Sequence, residues 1–354
     1  MQKPLSAPTS KSYFHVLDGL RGVAAIVVVV FHFMEIIFTD FSTNILAHGF
    51  LAVDFFFCLS GFVIANAYDA RAATMPVSIF FKNRLVRLHP LVVFGGVLGL
   101  LTFLFTPFGN TVSTYSAWQI IVLFLATIFL IPYPTMEDRY FNVFGLNAPA
   151  WSLFWEYVAN ILYIFVLVKL PRFGLFIVTI LSALLLVYVA KSAGNLLGGW
   201  NGETFWHGGA RMLFSFSMGM SLYRFQWCIP NRLGFIGVGL LLLFAFLIPY
   251  HETYNWITEP LIVIFYFPFI IALGAGTVAY AQQTTVCKFL GEISYPLYIT
   301  HYFAMWMFGS YYNTHQPTSY ALVCIVTGVI ILQLGVAYSA LRLFDVPVRN
   351  WLKK

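Results

Sequence analysis

The chain has 354 residues, of which 60% are hydrophobic, 19% aromatic and only 9% charged, and its net charge is +6. A soluble domain carries about 25% charged residues, so one aqueous core cannot absorb this much apolar surface and lipid must be part of the solvent. The positive charge is confined to short polar loops, which suits anionic headgroups and a fixed orientation in the bilayer; without an extended basic surface, no nucleic-acid partner is expected.

Lys3 and Lys11 precede the first apolar run, 14–38, and no small-residue cleavage site follows it. Residues 1–12 are therefore expected to form a short cytoplasmic tail ahead of an uncleaved first span. Further apolar runs lie at 49–68, 90–108, 117–131, 150–168, 173–190, 209–223, 233–249, 257–281, 292–309 and 319–342. They are uninterrupted rather than alternating, which predicts helices and not barrel strands. A spanning helix needs about 20 apolar residues, and the 117–131 run falls short, as a re-entrant or interfacial segment would. With the N-terminus inside and 117–131 not crossing, most cations, among them Lys82, Lys169, Arg224, Lys288 and Arg349, lie on the cytoplasmic side. Arg139, Lys191 and Arg211 then fall outside. The expected fold class is an all-α, polytopic transmembrane helix bundle of about ten spans plus one short re-entrant or interfacial segment, with both termini cytoplasmic.

Cys58, Cys228, Cys287 and Cys324 form no Cys-x-x-Cys pair, so neither a disulfide framework nor a metal site is expected. No Gly-x-Ser-x-Gly elbow, phosphate loop or His-Glu-x-x-His sequence occurs, which argues against a serine hydrolase, an NTPase and a zinc protease.

An ionised side chain at a helix centre costs about 2.5–3.5 kcal/mol on insertion scales. The chain nevertheless places Arg21, His32, Glu35, Asp54, Glu156, Arg211 and His301 in apolar runs. Arg21 and His32 are eleven residues apart, about three turns and roughly 16 Å along one helix face. A cation thus marks the inner end of that face and a titratable base lies deeper, and a neutral imidazole can take a hydroxyl proton near pH 7. Asp54, early in the second span, is expected near the level of His32, where a carboxylate would orient the ring and stabilise its charged form; it could equally answer Arg211. Arg84 and Arg87, three apart, put two guanidinium forks on one side of a turn beside Lys82. That is a site for an anionic cytoplasmic ligand, or a topology anchor. Trp151 and Ser152 open a span in which Glu156 lies one to two turns deep; Glu156 could act as acid or base, pair with Arg211, or bind sugar hydroxyls. His301 follows Ser294, Tyr295 and Tyr298, which could hold it as a packing residue instead.

Taken in order, several segments resemble the acyltransferase-3 family of membrane acyltransferases. They are Arg21 with His32, Gly49–Phe62 with Asp54, Arg84-x-x-Arg87-Leu-x-Pro90, Trp151-Ser-Leu-x-x-Glu156, Arg211 with Gly219, Leu290-Gly-x-Ile-Ser-Tyr-Pro-Leu-Tyr-x-x-His301, and the closing Asp345-x-Pro-x-Arg349. The resemblance implies a membrane acyltransferase domain over 13–349, followed by a cytoplasmic tail at 350–354, in a bacterial-type inner membrane. It implies transfer of an acyl group, usually acetyl, from acetyl-CoA or another acyl-CoA to a hydroxyl of a carbohydrate or small-molecule acceptor. No metal is implied, and membrane lipid is the constant partner. By this resemblance His32 is the base, Arg21 its companion, and Arg84 and Arg87 the donor-side pair. Combined with the residue chemistry, the expectation is that Asp54 or Glu156 tunes His32, and that Arg21, Lys82, Arg84 and Arg87 hold the donor. Trp151, Ser152, Arg211 and His301 would contact the acceptor. The form expected is a stand-alone one without a fused esterase-like domain. Asp345 stands where Glu is frequent in the family, and His89 where an apolar residue is usual. The rival class is a secondary transporter, which also carries midplane charges and short broken helices.

Overall fold

The computed structural model describes residues 14–108, 111–278 and 280–354. The expected tail at 1–12, with Lys3 and Lys11, lies outside the described residues. Among the described residues the protein is all-helical, with two isolated β-bridges and no strand.

Seven helical segments among the described residues are long and apolar enough to cross a membrane. They comprise α1 (His15–Ile37), α2 (Ala52–Tyr68) with its flanking turns, α3 (Val77–Phe105), α5 (Ala150–Phe165) with the turn after it, and α6 (Arg172–Ala193). Two more are compound: α9 (Asn255–Leu261) runs through a π-helical turn into α10 (Phe267–Gly276), and α13 (Ser319–Ser339) runs through another into α14 (Val346–Leu352). The remaining helices are α4 (Ala117–Ile128), α7 (Phe205–Arg224), α8 (Gly234–Phe246), α11 (Ala281–Thr300) and α12 (Tyr302–His315). Three runs expected to span fall below that standard for visible reasons. Gly, Ser and Arg211 dilute α7; α8 has 13 residues; and the 292–309 run is split at His301 between α11 and α12.

The third apolar run begins earlier than its hydropathy suggests. Pro76 caps α3 at its start, and Arg84, Arg87 and Pro90 all lie inside the helix. Apolar residues between the cations keep one face buried, with Arg84, Val86, Leu88 and Leu91 all inward. The short run at 117–131 folds as α4, closed at its start by a capping box between Ser116 and Gln119.

Lipid-facing surfaces are plain on α6, where Phe173, Ile177, Leu181, Leu184 and Tyr188 form an exposed apolar stripe at helical spacing. The inner contacts depend on small residues. A Cβ on Gly219 of α7 would collide with the Cys58 carbonyl of α2, and one on Gly61 with the Phe216 carbonyl, so these helices meet backbone to backbone. The pair runs parallel, with Asp54 beside Arg211 at one end and Gly61 between Phe216 and Met220 further along. Helices α1 and α11 also run parallel: Gly19 abuts Cys287, Gly22 abuts Leu290, and His32 lies against His301. These two close pairs position the polar groups described next.

Candidate active site

The α1–α11 seam carries one polar group at each end. Gly22 and Gly291 let the backbones approach, so Arg21 reaches across: its Nε donates to Ser294 Oγ at 2.9 Å and its guanidinium to the Gly291 carbonyl at 2.6 Å. Asp18, one turn back, stands 3.3 Å from the same guanidinium. At the other end, His32 Nδ1 lies 2.5 Å from Glu35 Oε1. The His32 ring stacks on His301 with centroids 5.2 Å apart, and the edge of Tyr302 meets it at 5.4 Å. His301 occupies the joint between α11 and α12. Its Nδ1 lies 2.7 Å from the Tyr298 carbonyl, its own carbonyl accepts from Gln333 at 2.8 Å, and its Nε2 is buried without a partner. An imidazole pair with one ring nitrogen on a carboxylate leaves the His32 Nε2 as the group that can exchange a proton with a ligand.

Between the two ends, α5 supplies a ladder of side chains. Ser152 Oγ and Tyr298 OH are 2.8 Å apart, and the Tyr298 ring sits 5.9 Å from that of His301. One turn below Ser152, Glu156 Oε1 accepts from Ser60 at 2.6 Å and from Arg84 at 2.8 Å. Asn160 donates to the Glu156 backbone carbonyl at 2.6 Å and to Oε1 at 3.4 Å, so the carboxylate is held by α2, α3 and its own helix. Arg87 is exposed, as is Lys82 near the N-terminal end of α3.

The structure decides between some of the partners that the sequence left open and replaces others. Of the two expected for Asp54, His32 and Arg211, its carboxylate is committed to Arg211. Arg211 Nε donates to Oδ1 at 3.1 Å and its terminal nitrogen to Oδ2 at 2.5 Å, with both residues essentially inaccessible. The remaining guanidinium donors go to the Gly198 and Phe50 carbonyls, and Trp151 lies under the cation at 5.3 Å. Every donor direction of Arg211 faces protein, which makes it a tie between α7, α2 and two loops. Glu156, the other carboxylate expected near His32, is taken by Arg84. The carboxylate that does meet His32 is Glu35, one turn along the same helix. Its spacing of three was visible in the sequence and is the signal that finds it. Tyr298 was expected as a contact of His301, whereas Tyr302 carried no comparable signal, because only the fold of α11 and α12 onto α1 brings it in. Among the described residues no group of three or more His, Cys, Asp or Glu side chains gathers to hold a metal ion.

A loop seals one end of the site. Residues 142–150 are buried between α3 and α11, where Asn147 donates to the Ile299 carbonyl at 3.1 Å, and glycines 95 and 99 of α3 make room for Asn147 and Leu146. Tyr115 and Asp138 are hydrogen-bonded across the neighbouring turns, and Arg139 lies 3.7 Å over the Trp306 ring. Burial, with Asp138 beside it, pushes the Tyr115 phenol well above its usual range.

Comparison with known proteins follows the same lines. The acyltransferase-3 family model, described as an acyltransferase domain, matches residues 14–338. The chain is 34% identical over 162 residues to "Protein 2 in picA locus" of Rhizobium radiobacter, covering 42% of this chain and 80% of that protein. It is 26% identical over 387 residues to the O-acetyltransferase OatA of Staphylococcus aureus, covering 98% of this chain. The chain spans 59% of the length of that staphylococcal protein. No solved structure matches. The chain is an integral membrane protein that belongs to the acyltransferase-3 family and carries its acyltransferase domain across residues 14–338.

Proposed function

We propose that the protein is an O-acyltransferase that moves an acyl group, acetyl in the first instance, from acyl-CoA to a hydroxyl of a carbohydrate or small natural product, with His32 as general base. The observation that carries this reading is the arrangement along α1. A His–Glu pair, stacked on a second His, stands about 16 Å from the Arg21 guanidinium on the same seam. Arg21, Arg84 and Arg87 hold the donor phosphates, with Lys82 at the approach, and the pantetheine arm spans the distance to His32 along Ser152 and Tyr298. His32 takes the proton of the acceptor hydroxyl while the oxygen attacks the thioester carbonyl. Glu35 orients the ring and stabilises the imidazolium that forms. Collapse of the tetrahedral intermediate expels the coenzyme A thiolate, which recovers the proton from His32. Direct transfer needs no acyl-enzyme. Asp54 with Arg211 fixes α2 to α7, and Glu156 holds Arg84, so both support the site through the arginines. Trp151, Ser152 and His301 line the route of the acceptor.

The topology proposed with this function has ten spans, cytoplasmic termini and a bacterial-type inner membrane. Two facts support the non-crossing of α4. Helices α2 and α7 run parallel, and three apolar helices, α3, α5 and α6, already cross between them. A fourth crossing there would make the pair antiparallel. The experiment that tests the function is release of free coenzyme A thiol by the purified protein, supplied with acetyl-CoA and an extract of host glycans. Acceptor-dependent release supports it, and acceptor uptake into vesicles without thiol release favours transport instead.

A further inference from the structure

The guanidinium cluster contains one residue that the proposed donor site has not yet used. Beyond α13 the chain makes a π-helical turn, Ala340–Asp345, and continues as α14. Single π turns shift the facing of the residues after them and occur often at functional sites. Here Phe344 packs on Phe94 of α3 with ring centroids 5.0 Å apart, which fixes the turn against the helix that carries Arg84 and Arg87. Asp345 is buried, and its Oδ2 lies 2.5 Å from Arg349, whose side chain remains partly exposed. Arg349 stands within electrostatic reach of Arg87, as do Arg21 and Arg84, and Asp345 is within reach of Arg87 as well.

Charge pairing in this cluster is uneven. Arg21 has Asp18 at 3.3 Å, Arg84 has Glu156 at 2.8 Å, and Arg349 has Asp345 at 2.5 Å. Arg87 is exposed and has no hydrogen-bond or ion-pair partner among the described residues. Three carboxylates therefore answer four guanidinium groups, and the unanswered charge sits in their midst. On the other side of the account, Asp345 Oδ1 is buried with no hydrogen-bond partner. A buried carboxylate oxygen left unsatisfied is unfavourable by more than an ordinary hydrogen bond contributes. An ion pair serving only to stiffen α14 would not leave such an oxygen unsatisfied within electrostatic reach of an unpaired cation.

We propose that Asp345 is a resident counter-ion of the donor site, which holds Arg349 until the phosphates of the acyl donor displace it, and that Arg349 then binds those phosphates with Arg87. The inference rests on the donor site proposed above and adds the C-terminal helix to it as a wall. A guanidinium that exchanges one carboxylate for a phosphate keeps its fork geometry through the exchange, which is why arginine suits this position. Nothing covalent changes; only the partner of Arg349 does.

The two substitutions have opposite consequences, which a structural pair would not show. Full-length protein in nanodiscs is titrated calorimetrically with free coenzyme A. Asp345→Asn removes the competitor and tightens binding about threefold to tenfold, whereas Arg349→Gln weakens it about tenfold, the worth of one charge-assisted contact. Arg349→Lys, which keeps the charge without the fork, recovers part of the loss. If wild-type protein binds coenzyme A but Asp345→Asn binds it unchanged or more weakly, the counter-ion role is overturned while the donor site stands. If Asp345→Asn does not fold, the Arg349 variants decide: wild-type affinity in Arg349→Gln overturns the proposal. Absence of binding by the wild-type protein overturns both this inference and the proposed function.

Discussion

Replacing Glu35 by Gln isolates what the carboxylate does for His32. Gln keeps the length of the side chain and an oxygen that can accept from Nδ1, so the ring stays in place and only the negative charge is lost. The two side chains are 21% and 29% exposed, so solvent screens the pair in part. A hydrogen bond to a charged group contributes about 1.5–3 kcal/mol; allowing for that exposure leaves about 1–2 kcal/mol for stabilising the imidazolium in the transition state. That corresponds to a loss of about 5- to 30-fold in kcat, with coenzyme A affinity unchanged, because the donor cluster lies about 16 Å away along α1. Reconstituted protein, assayed for thiol release at saturating donor, gives kcat, and calorimetry gives the donor affinity. Residues that act as one unit are not additive, so adding Glu35→Gln to His32→Gln is expected to cost nothing further. Wild-type kcat in Glu35→Gln, or an additive loss in the double variant, would refute the pairing as a catalytic device.

Other expectations follow from packing and charge. Arg211→Met leaves Asp54 buried without a partner and is expected to destabilise the protein by about 3–5 kcal/mol; thermal unfolding in detergent measures it, and the double variant with Asp54→Leu is expected to recover most of the loss. Gly219→Ala forces α7 off the Cys58 carbonyl of α2, at about 1–3 kcal/mol, read as a lower Tm with little change in donor affinity. A reporter fused after Lys354 is expected to report the cytoplasm, and a fusion within 132–149 the opposite side; the reverse result removes the ten-span topology.

Much of the fold was legible because bilayer helices announce themselves by length and apolarity. The first, second, fifth and sixth helices lie close to where the hydropathy put them. What hydropathy hid was the start of α3, whose first turns carry Lys82, Arg84 and Arg87 and read as a loop until their apolar face is packed. The first half of α11 hid differently, since Gln282, Gln283 and Lys288 lower its hydropathy, whereas α7 lies close to the 209–223 run. The polar residues of the site were legible as a set, because charge inside an apolar run is conspicuous. Their pairing was not. Asp54 and Glu156 each had two plausible cations, and the choice depends on which helices run parallel. Glu35 was the exception, since its partner lay one turn away on the same helix. Arg349 was visible only as part of a closing motif; Arg87, the cation it acts on, comes from α3, more than 240 residues back in the chain.

The central claim is that His32 moves the proton. A general base contributes about 10²- to 10⁴-fold, so His32→Gln in the full-length, membrane-reconstituted protein is expected to lose thiol-release turnover by that factor while extracting normally and binding coenzyme A with wild-type affinity. Near-wild-type turnover in His32→Gln would contradict the account and leave His32 as a packing residue against His301.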